Sequence, residues 1–120
     1  MRLMQSGLWA ETPARITLSA AVVDAPQLPT PFVETDELYA AIASAKTSDD
    51  ASRQAVDNMF KFLTEIVGLS QGDAGRLMSL VGNLKFCQVV DPEITIRFEF
   101  PKSVLAKLGF TGIGDRPASR

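Results

Sequence analysis

The chain has 120 residues, enough for one domain or a large part of one. Apolar residues make up 46% and charged residues 22%, which permits a folded core and argues against wholesale disorder. A formal net charge of −2 without a basic run argues against nucleic-acid binding, and no apolar run has membrane-spanning length.

Two residue types restrict the chemistry further. There is no histidine, so a His general base, a His proton shuttle and the commonest metal ligand are all excluded. A lone cysteine, Cys87, excludes an internal disulfide and leaves too few ligands for a structural zinc site. It also points to a reducing, cytoplasmic setting. The stretch Met1 to Trp9 is too short and too interrupted for a secretory leader.

Residues 1–14 read as an irregular segment. From Arg15 to Val23, Ile16, Leu18, Ala20 and Val22 alternate with Arg15, Thr17, Ser19 and Ala21, the period-2 pattern of a half-buried strand. Pro26, Pro29 and Pro31 then favour an extended path over Asp24 to Phe32. Leu38 to Ala45 stays open: its alanines favour helix, while its length suits a strand.

The clearest element follows. Ala55, Val56, Met59, Phe60, Leu63, Ile66 and Val67 recur at helical spacing from about Asp50, with Ser48, Asp49 and Asp50 as N-cap oxygens. Gly68 is placed to stop that helix in the left-handed conformation. Ser70-Gln71-Gly72-Asp73 has capping-box spacing for a second helix, which Gly82-Asn83 ends. Leu84 to Val90 and Glu93 to Phe100 read as an antiparallel hairpin turned at Asp91-Pro92. Lys102 to Leu108 reads as a short helix stopped by Gly109, and the chain from 110 to 120 reads as a flexible tail. The order predicts an α+β fold: a mostly antiparallel sheet with two main helices packed on one face, over residues 15–109.

No Ser/His/Asp arrangement, CxxC, P-loop or dinucleotide-binding pattern is present. Glu34, Asp36 and Glu37 follow the proline segment as solvated loop acids, or else Glu34 is a carboxylate held on a rigid support that can polarise water. Asn83 reads as a helix terminator. Gln88, a polar residue in an apolar strand, needs a partner if buried. Cys87, among Phe86, Val89 and Val90, is expected to be a buried, slow-reacting thiol.

The stretch from Ser70 to Pro92, with its sequel Glu99-Phe100-Pro101-Lys102-Ser103-Val104-Leu105, resembles the helix-to-strand segment of the acetamidase/formamidase family. Arg53 to Met59 resembles the family's preceding helix and Thr30 to Thr35 its Pro-containing loop, so the match runs in order over roughly residues 15–108. The resemblance implies that Leu38 to Ala45 is a strand. It implies the C-terminal part of an amidase that hydrolyses formamide, acetamide and related linear amides to ammonia and a carboxylate. It also implies a divalent metal, zinc or calcium, in the full-length family, with none expected for this chain alone. Glu34, Gln88 and Asn83 are the candidate catalytic residues on this reading. Where this chain has Asn83, the family usually has Asp, so an anionic role there is lost. The family's long N-terminal part, which supplies His and acidic residues, has no counterpart in the match. The expectation is therefore an inactive chain unless such a part completes it, with self-association or a companion fragment as partner. The alternative is a non-catalytic interaction module that keeps the family fold.

Overall fold

The computed structural model describes residues 12–20, 22 and 27–113. Four strands form one antiparallel sheet in the order β1-β2-β4-β3: β1 is Phe32–Glu34, β2 Leu38–Ala45, β3 Asn83–Gln88 and β4 Ile94–Pro101. Between β2 and β3 run α1, Ser48–Lys61, its continuation as a π-helix, Phe62–Ile66, and α2, Gln71–Val81; α3, Lys102–Lys107, follows β4. The fold is α+β, as the order of elements predicts.

Pairing register decides which side chains share a face. Tyr39, Ala41 and Ala43 on β2 lie opposite Phe100, Phe98 and Ile96 on β4. All six are buried, and Ala51, Ala55, Met59, Phe62, Leu63 and Ile66 of α1 and its continuation close over them with Ala74 and Met78 of α2. The small alanines of β2 let α1 approach the sheet closely, and the large residues of β4 fill the rest of the layer. The resemblance's choice of a strand for Leu38 to Ala45 is therefore met.

α1 begins one residue earlier than its acids suggest. Thr47 is the N-cap: its Oγ1 accepts from the Asp50 N–H at 3.1 Å and donates to Asp50 Oδ2 at 2.8 Å. Thr64 Oγ1 donates to the Phe60 carbonyl at 2.9 Å, occupying an acceptor the next turn would use. The chain there widens into π geometry, and Val67 N–H reaches back to the Phe62 carbonyl at 3.0 Å. Gly68, at φ +86°, then ends the run, and Leu69 N–H bonds the Leu63 carbonyl. Ser70 caps α2 as its spacing predicts, accepting from the Asp73 N–H at 3.1 Å and donating to Asp73 Oδ2 at 2.9 Å. Gly109, at φ +89°, follows α3.

Four expectations need correction. Residues 15–20 and 22 form no strand and are exposed, because no neighbouring chain pairs with them; residues 21 and 23 lie outside the described residues, as does most of the irregular 1–14 segment. The proline segment ends in a strand: β1 pairs Phe32 with Ala41. Cys87 is exposed, not buried. It sits at a bulge between Phe86 and Gln88 on an edge strand, where apolar neighbours in sequence do not provide a covering layer. Of the expected flexible tail, Phe110 and Ile113 pack against the core, and residues 114–120 lie outside the described residues.

Candidate functional site

The face of the sheet away from the helices carries the most buried charged group among the described residues. Thr95, Arg97 and Glu99 alternate with the core residues of β4 and so point to this face. Glu99 lies between Ala40 of β2 and Asn83 of β3 and is only 8% exposed. A carboxylate this buried needs compensation. Lys85 Nζ stands 2.8 Å from Glu99 Oε2, and Arg97 Nε donates to Oε1 at 2.6 Å. Burial pushes the Glu99 carboxyl upward, but the hydrogen bonds from Lys85 and Arg97 outweigh it and hold the group below the usual carboxylate range. Arg97 is raised in turn, first by its bond to Glu99 and then by its Nη1 contact of 3.4 Å to Cys87 Sγ.

Asn83 and Glu99 line one cavity of about 210 Å³, with Glu37, Leu38, Val81, Phe100 and Pro101. An ionised carboxylate accepts N–H bonds, and a primary amide side chain both donates and accepts. This pair suits a small ligand that offers N–H and C=O groups together.

The three residues expected to be catalytic do not converge. Glu34, at the end of β1, is held by Lys102 Nζ at 2.7 Å and accepts from the Ile113 N–H at 3.4 Å. Gln88, at the end of β3, organises the hairpin turn: its Oε1 accepts from the Val90 and Asp91 N–H groups at 3.1 and 3.0 Å, and its Nε2 donates to the Glu93 carbonyl. β1 and β3 are opposite edges of the sheet. Asn83 instead pairs with Glu99, whose partners Lys85 and Arg97 are not among the residues the sequence singles out. The signal that finds Glu99 is its place on a central strand, which only the sheet order reveals. A second cavity, of about 490 Å³, lies beside α3 and is lined by Asp36, Glu37, Lys102, Ser103, Ala106, Phe110 and Thr111.

The Glu99 cluster predicts a pH effect. Its folded pKa lies below the unfolded value of about 4.3, so it stabilises the fold above that pH, and the contribution is lost as pH falls through the folded pKa. Glu99→Gln is expected to lower stability by about 1–3 kcal/mol at neutral pH and to flatten the acid limb of the stability curve. Urea midpoints for both proteins across the acid range check this; parallel curves would remove Glu99 as a source of acid sensitivity.

Among the described residues, no group of three or more His, Cys, Asp or Glu side chains could hold a metal ion. The described residues alone therefore do not fit the divalent metal that the resemblance implies for the full-length family. No described helix is long and apolar enough to cross a membrane.

No protein-family model and no curated protein matches the chain. Solved structures do. An acetamidase from Bacillus halodurans is 41% identical with a TM-score of 0.65, covering 69% of this chain and 28% of that one. A predicted acetamidase/formamidase from Thermoanaerobacter tengcongensis is 38% identical, TM-score 0.61, covering 65% and 26%. An acetamidase from Yersinia enterocolitica is 31% identical, TM-score 0.59, covering 62% and 22%. The chain thus spans only 22–28% of the length of these three relatives. Over 62–69% of its own length, this chain resembles the acetamidase/formamidase family in both sequence and fold.

Proposed function

We propose that this chain is the C-terminal portion of an acetamidase/formamidase-like amidase that hydrolyses small linear amides to ammonia and a carboxylate, and that it is inactive without the N-terminal part. The observation that carries this reading is the 41% identity to an acetamidase over 69% of the chain. Amide hydrolysis needs an activated water, a stabilised oxyanion and a proton for the leaving amine. Glu99 and Asn83 supply polar contacts for an amide in their cavity, and Glu34 is a carboxylate already committed to Lys102. A general base of suitable pKa and a metal centre are left for the completing polypeptide. A second reading, a non-catalytic interaction module that retains the fold, is favoured by the lack of histidine.

Ammonia release from formamide and acetamide, with and without added divalent metal, tests the proposal. The chain alone is expected to release none. Co-expression with the N-terminal part of the Bacillus halodurans acetamidase is expected to give metal-dependent release. Turnover by the chain alone, abolished by Glu34→Gln, would overturn the inactivity. A stable but inactive complex would favour the interaction module.

A further inference from the structure

The cavity shared by Asn83 and Glu99 has a charge pattern that hydrolysis of a neutral amide does not require. Among the described residues that line it, Glu37 and Glu99 are the charged ones, and both are acids. Lys85 and Arg97 reach Glu99 from outside that lining, Lys85 on Oε2 and Arg97 on Oε1. A carboxylate oxygen accepts about two hydrogen bonds, so each oxygen of Glu99 keeps one acceptor site. With the residue only 8% exposed, little bulk water competes for those sites. Asn83 stands directly opposite on β3, its Cβ about 4.5–5.5 Å from that of Glu99 on the same face. Its side-chain amide, a donor and an acceptor, bonds to no described residue. Leu38, Val81 and Pro101 add an apolar wall.

We propose that this cavity binds the planar head of a small amidine, a cation, more tightly than that of a neutral primary amide. The proposal deepens the amidase reading and rests on the amide-binding role given there to Asn83 and Glu99. The two spare acceptor sites of Glu99, one on each oxygen, match two parallel N–H groups, the fork by which a carboxylate holds a guanidinium. An amidinium presents such a pair, one N–H from each nitrogen, and its charge is opposite to that of both acids. A primary amide has only one nitrogen. It donates to one Glu99 oxygen and turns its carbonyl to the Asn83 Nδ2 donor. The short alkyl group of either ligand lies against Leu38, Val81 and Pro101. Full substitution on nitrogen removes the donors and leaves the buried Glu99 acceptors facing carbon, which disfavours binding. A carboxylate, the acid product of amide hydrolysis, is repelled by Glu37 and Glu99 alike.

Backbone amide NMR signals of the isotope-labelled full chain test this, titrated at neutral pH and fixed ionic strength with acetamidine, acetamide, N,N-dimethylacetamide and acetate. Acetamidine is expected to shift the signals around Leu38, Asn83 and Glu99 to saturation, and acetamide to bind there at least about tenfold more weakly. Dimethylacetamide and acetate should leave those signals in place. Glu99→Gln keeps the shape and removes the charge, so it should weaken acetamidine at least about tenfold. Asn83→Asp lies at an exposed position and should fold as the wild type does. It adds a third acid and removes the Nδ2 donor, so it should tighten acetamidine and weaken acetamide. That opposite response decides the matter even if Glu99→Gln fails to fold. Acetamidine that leaves these signals unmoved, binds Glu99→Gln as tightly, or responds to Asn83→Asp in the same direction as acetamide would overturn the proposal. Ammonia release by the completed enzyme without acetamidine binding here would overturn the proposal and leave the amidase reading standing. Acetamidine binding without ammonia release would support the cavity's role and count against the amidase.

Discussion

Replacing Phe62 by alanine is expected to lower stability by about 3–5 kcal/mol, a large share of what a domain of this size has. Phe62 has no exposed surface. Its ring centroid lies 4.7 Å from that of Phe32, 5.1 Å from Tyr39 and 5.8 Å from Phe110. It therefore ties together β1, β2, the end of α1 and the chain beyond α3. Removing it loses the transfer energy of the ring and the aromatic contacts, and it leaves a cavity whose walls cannot collapse. Tyr39 is fixed by the β2–β4 ladder, and Phe32 by its pairing with Ala41. Phe62→Leu, which keeps most of the volume, should cost less than half as much. Urea denaturation of the two variants separates these outcomes. A loss under about 1 kcal/mol for Phe62→Ala would mean that the cluster is not the keystone of this end of the fold.

The sequence made the helical layer legible because helix signals are local. The spacing of Ala55, Met59 and Leu63 needs no knowledge of the rest of the chain, and Ser70 with Asp73 is a complete cap within four residues. The π continuation of α1 was not legible, since apolar spacing hardly changes when one carbonyl is diverted by Thr64. Strand signals are conditional on partners. Arg15 to Val23 and Glu93 to Phe100 alternate equally well, yet the described residues of the first, 15–20 and 22, form no strand, while β4 finds two neighbours. Burial in a sheet follows from the same order. Cys87, with apolar neighbours, is exposed because β3 is an edge; Glu99, in a polar series, is buried because β4 is central. The juxtaposition of Asn83 with Glu99 is a fact of register. Glu34 and Gln88 carry suitable polar groups, yet each is engaged in local structure at its own edge.

Gly82→Ala is expected to destabilise the fold by about 3 kcal/mol, for a reason unrelated to glycine's flexibility. Gly82 ends α2 at φ −76° and ψ 151°, values any residue adopts. The constraint is space. A Cβ there would overlap the Phe98 ring, lying 2.5 Å from Cε1 and also 2.5 Å from the Met78 carbonyl oxygen. Neither obstacle can yield cheaply. Phe98 is almost fully buried on the central strand, paired with Ala41 on one side and Leu84 on the other. The Met78 carbonyl accepts the Gly82 N–H at 3.0 Å, the bond that closes α2. Relief would require pushing β3 away from α2, which would also disturb the Asn83–Glu99 pairing that begins at the next residue. Gly75 supplies the control. It lies inside α2, and a Cβ there would meet nothing within 4 Å. Gly75→Ala should therefore stabilise by about 0.5–1 kcal/mol through helix propensity and a less flexible unfolded chain. Thermal and urea midpoints should move in opposite directions for the two glycines. If Gly82→Ala matched wild type within about 0.5 kcal/mol, the close approach of α2 to Phe98 would not be the reason this turn carries glycine.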